Sequence, residues 1–311
     1  MLMAESFSLV VFCGAAIRLA VPLALAALGE SITERSGVLN IGIEGSIIAG
    51  ALCAALAALA WSSILLGMIL GAIGGGLVAL VFAIFVLGLN TDQIITGTAT
   101  TLAGLGFTGA IYQARFGTTG SVITLPVLGT LDIPILADIP ILGPIFFQQS
   151  ITVYLVYLLV PALWYFLFNT SWGLELRSVG ESPEVAEEAG VKILLVRFLA
   201  ILSGGLMSGL AGAHLALDSG TFIENMSGGR GFIAIAVVVL GRWNPVWIAG
   251  AAVFFGAASA LQFVFQSLGS DLPFPLFLML PYVLTLIALS GWFGRTKAPA
   301  SLTLPWPAKG R

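Results

Sequence analysis

The tightest constraint in this sequence is the recurrence of continuous apolar runs long enough to cross a bilayer. They fall at roughly 7–29, 37–60, 63–89, 93–113, 150–168, 193–217, 231–243, 245–268 and 275–294. A hydrocarbon core ~30 Å thick takes about 20 residues of α-helix. In lipid the backbone must satisfy its own hydrogen bonds, which leaves helices or closed barrels. Barrel strands alternate apolar and polar residues, and these runs do not. The sequence therefore predicts an all-α polytopic membrane protein with about nine (eight to ten) transmembrane helices, the seventh short and half-buried or broken. With 59% hydrophobic and 9% charged residues, the 311 positions read as one membrane domain, 1–294, and a tail, 295–311, rather than two soluble domains. The first run begins near Phe7 without a basic leader or small-residue cleavage site, and reads as a retained helix.

Basic residues orient the bundle. If 169–192 is cytoplasmic, Arg35, Arg177, Lys192, Arg197, Arg242, Arg295, Lys297, Lys309 and Arg311 share its side, against Arg115 and Arg230 opposite. Nine spans with a cytoplasmic C-terminus place the N-terminus outside. Arg18 lies within the first run, where it snorkels or pairs with a buried acid such as Glu44. Glycine stripes (Gly71, Gly74, Gly75, Gly76; Gly204, Gly205, Gly209, Gly212) suit close helix packing in lipid. Cys13 and Cys53 lie inside apolar runs and read as small packing residues, with no metal site or disulfide framework. A net charge of −3 gives no reason to expect a nucleic-acid partner.

One stretch breaks the apolar pattern. Within 175–192, Arg177, Glu181, Glu184, Glu187 and Glu188 crowd together. Ser182-Pro183 is a helix start, Glu184 suits the first turn, and Gly190 is a stop. A helix over 183–189 is too short to stand alone in water, so the rest of the chain or a partner must hold it. It is either a docking element or a solvated linker. The other long connection, 114–149, carries a tandem copy, Asp132-Ile-Pro-Ile-Leu136 then Asp138-Ile-Pro-Ile-Leu142. Its prolines favour turns, and its apolar residues suggest a loop on the outer membrane face, serving either as a docking or gating surface or as a cap over the bundle.

Polar residues inside spans are candidates for a solute pathway. Asn40 and Glu44 would share a face if 37–60 were one helix. Asn90, Asp92 and Gln93 sit where the third and fourth runs meet, and His214 lies near Asp218, Glu224 and Asn225. Asn40 and Glu44 either line the route or lock helix packing. No G-x-x-x-x-G-K-[ST] cradle for nucleotide phosphates is present, nor H-E-x-x-H, and His214 is the single histidine. "LDSG" at 217–220 is one copy of a loop whose chemistry needs two facing carboxylates.

Four stretches together resemble the membrane permease subunit of bacterial ABC importers, in the branch that handles nucleosides and simple sugars. They are "ERSGVLNIGIEGSIIAG" (34–50), "DIPILGPIFFQQSITVYL" (138–155), "LRSVGESPEVAEEAGVKI" (176–193) and "GRGFIAIAVVVLGRWNPV" (229–246). The resemblance implies that Arg177, Gly180, Glu181, Pro183, Glu184, Glu187, Glu188 and Gly190 form the cytoplasmic coupling segment that meets separate ATP-binding subunits. It further implies a second permease subunit in a pseudo-symmetric heterodimer, an extracytoplasmic substrate-binding protein, a multi-pass place in the bacterial inner membrane, no cofactor and no enzymatic activity of the chain itself. Alternating access would pass solute from the binding protein inward. The same family importing branched-chain amino acids or riboflavin is the nearest alternative. An ion-coupled secondary transporter would want inverted repeats, of which "IIAGA" (47–51) against "WIAGA" (247–251) is a faint echo.

Overall fold

The computed structural model describes residues 9–117, 123–267, 279, 283, 286 and 297–306, and these form an almost entirely helical bundle. The helices are α1 (Leu9–Arg35), α2 (Ile43–Trp61), α3 (Ile64–Ala83), α4 (Gln93–Phe116), α5 (Ile151–Asn169), α6 (Ser171–Glu181), α7 (Pro183–Glu188), α8 (Ile193–Ser219), α9 (Arg230–Leu240) and α10 (Pro245–Ser267). A π-helical turn, Ile84–Gly88, continues α3. Seven described helices are long and apolar enough to span a membrane: α1, α2, α3 with its extension, α4, α5, α8 and α10. The seventh expected run became α9, only 11 residues long. The ninth, 275–294, lies outside the described residues except for three positions. The expected nine is thus seven spans and one short apolar helix among the described residues.

α1 is buried on nearly every side from Ala20 to Glu34 and forms the centre, as expected of a helix that is apolar all round. It packs against α8, α9 and α10, while α2 packs against α3, α4 and α8. The glycine stripes are the seams. A Cβ on Gly75 or Gly209 would run into the facing backbone of α8 or α3, and one on Gly212 into the carbonyl of Ile47 on α2. Close backbone approach replaces side-chain interdigitation there.

The sequence expectation of one helix over 37–60 fails. Ser36-Gly37 ends α1 with Gly37 at φ 87°, residues 38–42 form an irregular corner, and α2 starts only at Ile43. Asn40 and Glu44 therefore do not share a helical face. The island also differs from its expected form. α6 precedes α7, Thr170 caps α6 by accepting from Gly173 N at 3.1 Å, and Ser182 makes no side-chain cap bond. Gly190, at φ 87°, closes α7 as expected.

At the end of the bundle opposite α6–α7, two short antiparallel pairs tie down the long connection. β1 (Ile123–Thr124) pairs with β4 (Thr221–Phe222), and β2 (Thr130–Asp132) with β3 (Gln148–Ser150). Between β2 and β3 a second π-helical turn, Gly143–Phe147, packs beside α1.

Candidate functional site

Three buried carboxylates organise the irregular backbone of the bundle. Glu30 Oε1 accepts from Asn40 N at 2.9 Å and so holds the α1–α2 corner. Glu34, one turn further on, accepts from the indole Nε1 of Trp243 at the α9–α10 corner. Glu44, in the first turn of α2, accepts from Gly229 N at 2.7 Å and Gly231 N at 2.6 Å at the start of α9. A helix start carries unpaired N–H groups and a partial positive charge, so a carboxylate there satisfies both. Gly231 leaves no room for a side chain against Glu44. The described partners of Glu44 are thus main-chain amides rather than Arg18. Glu30 and Glu34 were absent from the sequence-based candidates. Their signal is two acids four residues apart, one helical turn, just past the apolar run 7–29 and within the helix that continues it.

Polar groups converge on the Asn40 corner from α4. Gln93 Oε1 accepts from Leu39 N at 2.9 Å, and Thr101 Oγ1 donates to Ile41 O at 3.0 Å. Asn40 Oδ1 and Gln93 Nε2 are buried without hydrogen-bond partners. Asp92 caps α4, accepting from Ile94 N and Ile95 N at 2.9 Å each. Asn90 takes a left-handed φ of 51° to make the turn before it. Asn90, Asp92 and Gln93 line one cavity of about 140 Å³, closed by Arg197, Thr303 and Trp306. The structure therefore brings these three together and links Gln93 to the Asn40 corner, while Glu44 faces α9.

His214 stands elsewhere. It is buried on α8, and its Nδ1 lies 2.8 Å from Thr152 Oγ1 on α5, which in turn lies 2.9 Å from Ser150 Oγ. Glu224 and Asn225, grouped with it in sequence, are exposed.

The coupling residues form a second cluster. In α7, Pro183 and Ala186 are buried while Val185, Glu187 and Glu188 face outward. Ala186 joins Val179, Ile193 and Trp306 in a small apolar core. Gly180 sits so close to Arg35 O that no side chain fits. Arg177 lies over the Phe168 ring, 5.1 Å from its centroid. Residues 297–306 cross this face as a strap. Ser301 N donates to Gly180 O at 2.9 Å, and Thr303 N to Gly37 O at 3.2 Å. Buried Arg197 binds the strap and the corner together, donating to Ser36 O at 3.1 Å, Leu304 O at 3.0 Å and Ser301 Oγ at 3.4 Å. Neither Arg197 nor the strap was singled out in the sequence, because each joins positions more than a hundred residues apart.

The sequence carries no G-x-x-x-x-G-K-[ST] motif, and among the described residues there is no cluster of metal-binding side chains. The arrangement has a helix pair presented on one end of a membrane bundle and wired to the corners of α1, α2 and α9. Comparison with known proteins finds relatives among transporter permeases. The guanosine ABC transporter permease protein NupQ of Bacillus subtilis is 39% identical over 308 residues, 92% of this chain and 93% of that protein. The putative glucose ABC transporter permease protein TsgC13 of Haloferax volcanii is 39% identical over 258 residues, 82% of this chain and 77% of that protein. The nucleoside ABC transporter permease protein NupC of Lactococcus lactis is 32% identical over 292 residues, 89% of this chain and 90% of that protein. Each of these organisms also holds a second permease relative at lower identity, 27% in Bacillus subtilis, 31% in Haloferax volcanii and 23% in Lactococcus lactis. No solved structure matches. The family model described as branched-chain amino acid transport system / permease component matches residues 13–289, and the chain belongs to that family of ABC transporter permease subunits.

Proposed function

We propose that this chain is one membrane-spanning subunit of an ATP-driven importer for a nucleoside or a simple sugar. ATP-binding subunits and a substrate-binding protein are the partners its family implies. The cargo class follows relatives that match 82–92% of the chain and are described as guanosine, glucose and nucleoside permeases. A second permease as partner is supported by the paired relatives in three organisms. The family supports a place in the cytoplasmic membrane, and the bias of basic residues puts α6–α7 and the tail on its cytoplasmic side. On this reading 1–294 is the permease domain and 175–192 its coupling segment.

The single observation that carries the coupling role is the mounting of α7. Six residues cannot hold a helix in water. Here they are fixed from beneath by Ala186 and from the side by the strap, with Val185, Glu187 and Glu188 left outward. Such a helix suits a cleft on an ATP-binding subunit. Asn90, Asp92 and Gln93, around the cavity beside the strap, are the better candidates for the cytoplasmic end of the solute route. Asn40 stands next to them through Gln93, whereas Glu44 and His214 act as positioning residues.

Photo-crosslinkers at Glu184 and Glu187 in the assembled transporter should capture the ATP-binding subunit. Adducts with lipid alone, while uptake proceeds normally, would overturn the coupling role. Titration of guanosine and of glucose into the cognate substrate-binding protein decides the cargo.

A further inference from the structure

The tandem Asp-Ile-Pro-Ile-Leu motif folds as a structural repeat. Ala137 N donates to Ile133 O at 2.9 Å, and six residues on Gly143 N donates to Ile139 O at 2.8 Å. The matched fourth positions, Ile135 and Ile141, have φ of 72° and 69°. A β-branched residue in that region is a genuine outlier, and persists only where the surroundings impose it. They do so here. β2 and β3 clamp the base, Ile133 N donates to Phe147 O at 3.1 Å, and Gln148 Nε2 donates to Ala137 O at 3.1 Å. Glycine at either position would make the same turn without strain. The strained isoleucines instead form two fixed knuckles, with Ile135 83% and Ile141 62% exposed, each followed by an exposed leucine.

What covers these knuckles follows from where they stand. The π-helical turn that follows them runs beside Gly14 of α1, and its Ile145 is buried in the main core. β3 leads straight into α5. The nearby outer turns of α1 and α5 expose Leu9, Val11 and Ile151, so the knuckles continue an apolar wall that a spanning bundle turns to hydrocarbon. Charge points the same way. No Lys or Arg occurs between Arg115 and Arg177, and Asp132 and Asp138, which open the two copies, are the only charged residues in 132–147. An aqueous protein-docking face carries a polar rim, and this one has almost none.

We propose that the tandem repeat is a membrane foot, with Ile135–Leu136 and Ile141–Leu142 seated in the acyl region of the leaflet opposite α6–α7. Without a Lys or Arg in its own segment, its seating does not need anionic headgroups. The inference stands on the chain spanning a membrane and is independent of its cargo.

The test uses the full chain in phosphatidylcholine vesicles, with spin labels at Ile135→Cys and Ile141→Cys in a Cys13→Ala, Cys53→Ala background. Both labels should favour collision with oxygen over a water-soluble nickel chelate several-fold more than a label at Glu187→Cys, with no change on adding phosphatidylglycerol. Free access of nickel overturns the proposal in favour of a solvated loop. Shielding from both reagents overturns it in favour of a protein partner. In the unaltered chain, a diazirine-bearing acyl chain should label the 133–142 segment on illumination, and its absence from that segment counts equally against the foot.

Discussion

Glu44 is the residue on which the route and packing readings divide. Its carboxylate satisfies two buried amides, and each such group left unpaired costs about 1–3 kcal/mol. Glu44→Ala should therefore lower the thermal unfolding midpoint of the purified protein clearly. Glu44→Gln should lower it less, because one amide oxygen can still accept while its NH₂ group faces the other donor. Uptake should fall in step with stability across the two. Lost uptake with an unchanged midpoint would instead place Glu44 on the cargo. Side chains of this kind were only half legible in the sequence. An acid in an apolar run announces that it matters, and of the two partners the sequence offers for it, backbone or Arg18, the structure shows backbone. Periodicity carries no information about which distant helix start will arrive.

At the scale of elements, spans were legible because they answer to a single local quantity, apolar length. α5 and α8 lie within one or two residues of their expected bounds. The misses occurred where apolar composition continues through a break. Val38, Leu39 and Ile41 are as apolar as any helix, yet Gly37 and the bonds from Glu30, Gln93 and Thr101 hold them in a corner. α6 was hidden differently, since its mixed Trp, Leu, Glu and Arg content read as connection. The seams make a sharper statement. α3 and α8 meet through glycine on both sides, so a methyl group has nowhere to go. Gly209→Val should cost more than the ~1–3 kcal/mol usual for overpacking, because backbone rather than a movable side chain blocks it. Size-exclusion chromatography of the purified variant should show loss of the folded peak. Gly106→Val, at a glycine with open space around it, should elute as the parent does.

At the scale of the whole molecule, the strap connects features that the sequence kept apart. It touches α6, the α1–α2 corner and α8, and Arg197 is its buried pin. A guanidinium reaches three acceptors in different directions, which an ammonium or an alkyl chain cannot reproduce. Arg197→Met should release residues 297–306. Hydrogen bonds to charged groups contribute about 1.5–3 kcal/mol each, so trypsin cleavage after Lys297 should speed up roughly tenfold or more, as read by mass spectrometry. In the assembled transporter the same variant should hydrolyse ATP with little dependence on cargo. Unchanged cleavage would remove the pin from the account of coupling.

α9 has a consequence of its own. Eleven helical residues rise about 16 Å, close to half of a hydrocarbon core ~30 Å thick. Its first amides are held by Glu44, so the helix itself covers only about half the depth that α1 or α8 covers. On the proposed coupling role of α7, the displacement that would join the two aqueous sides beside α9 is correspondingly short.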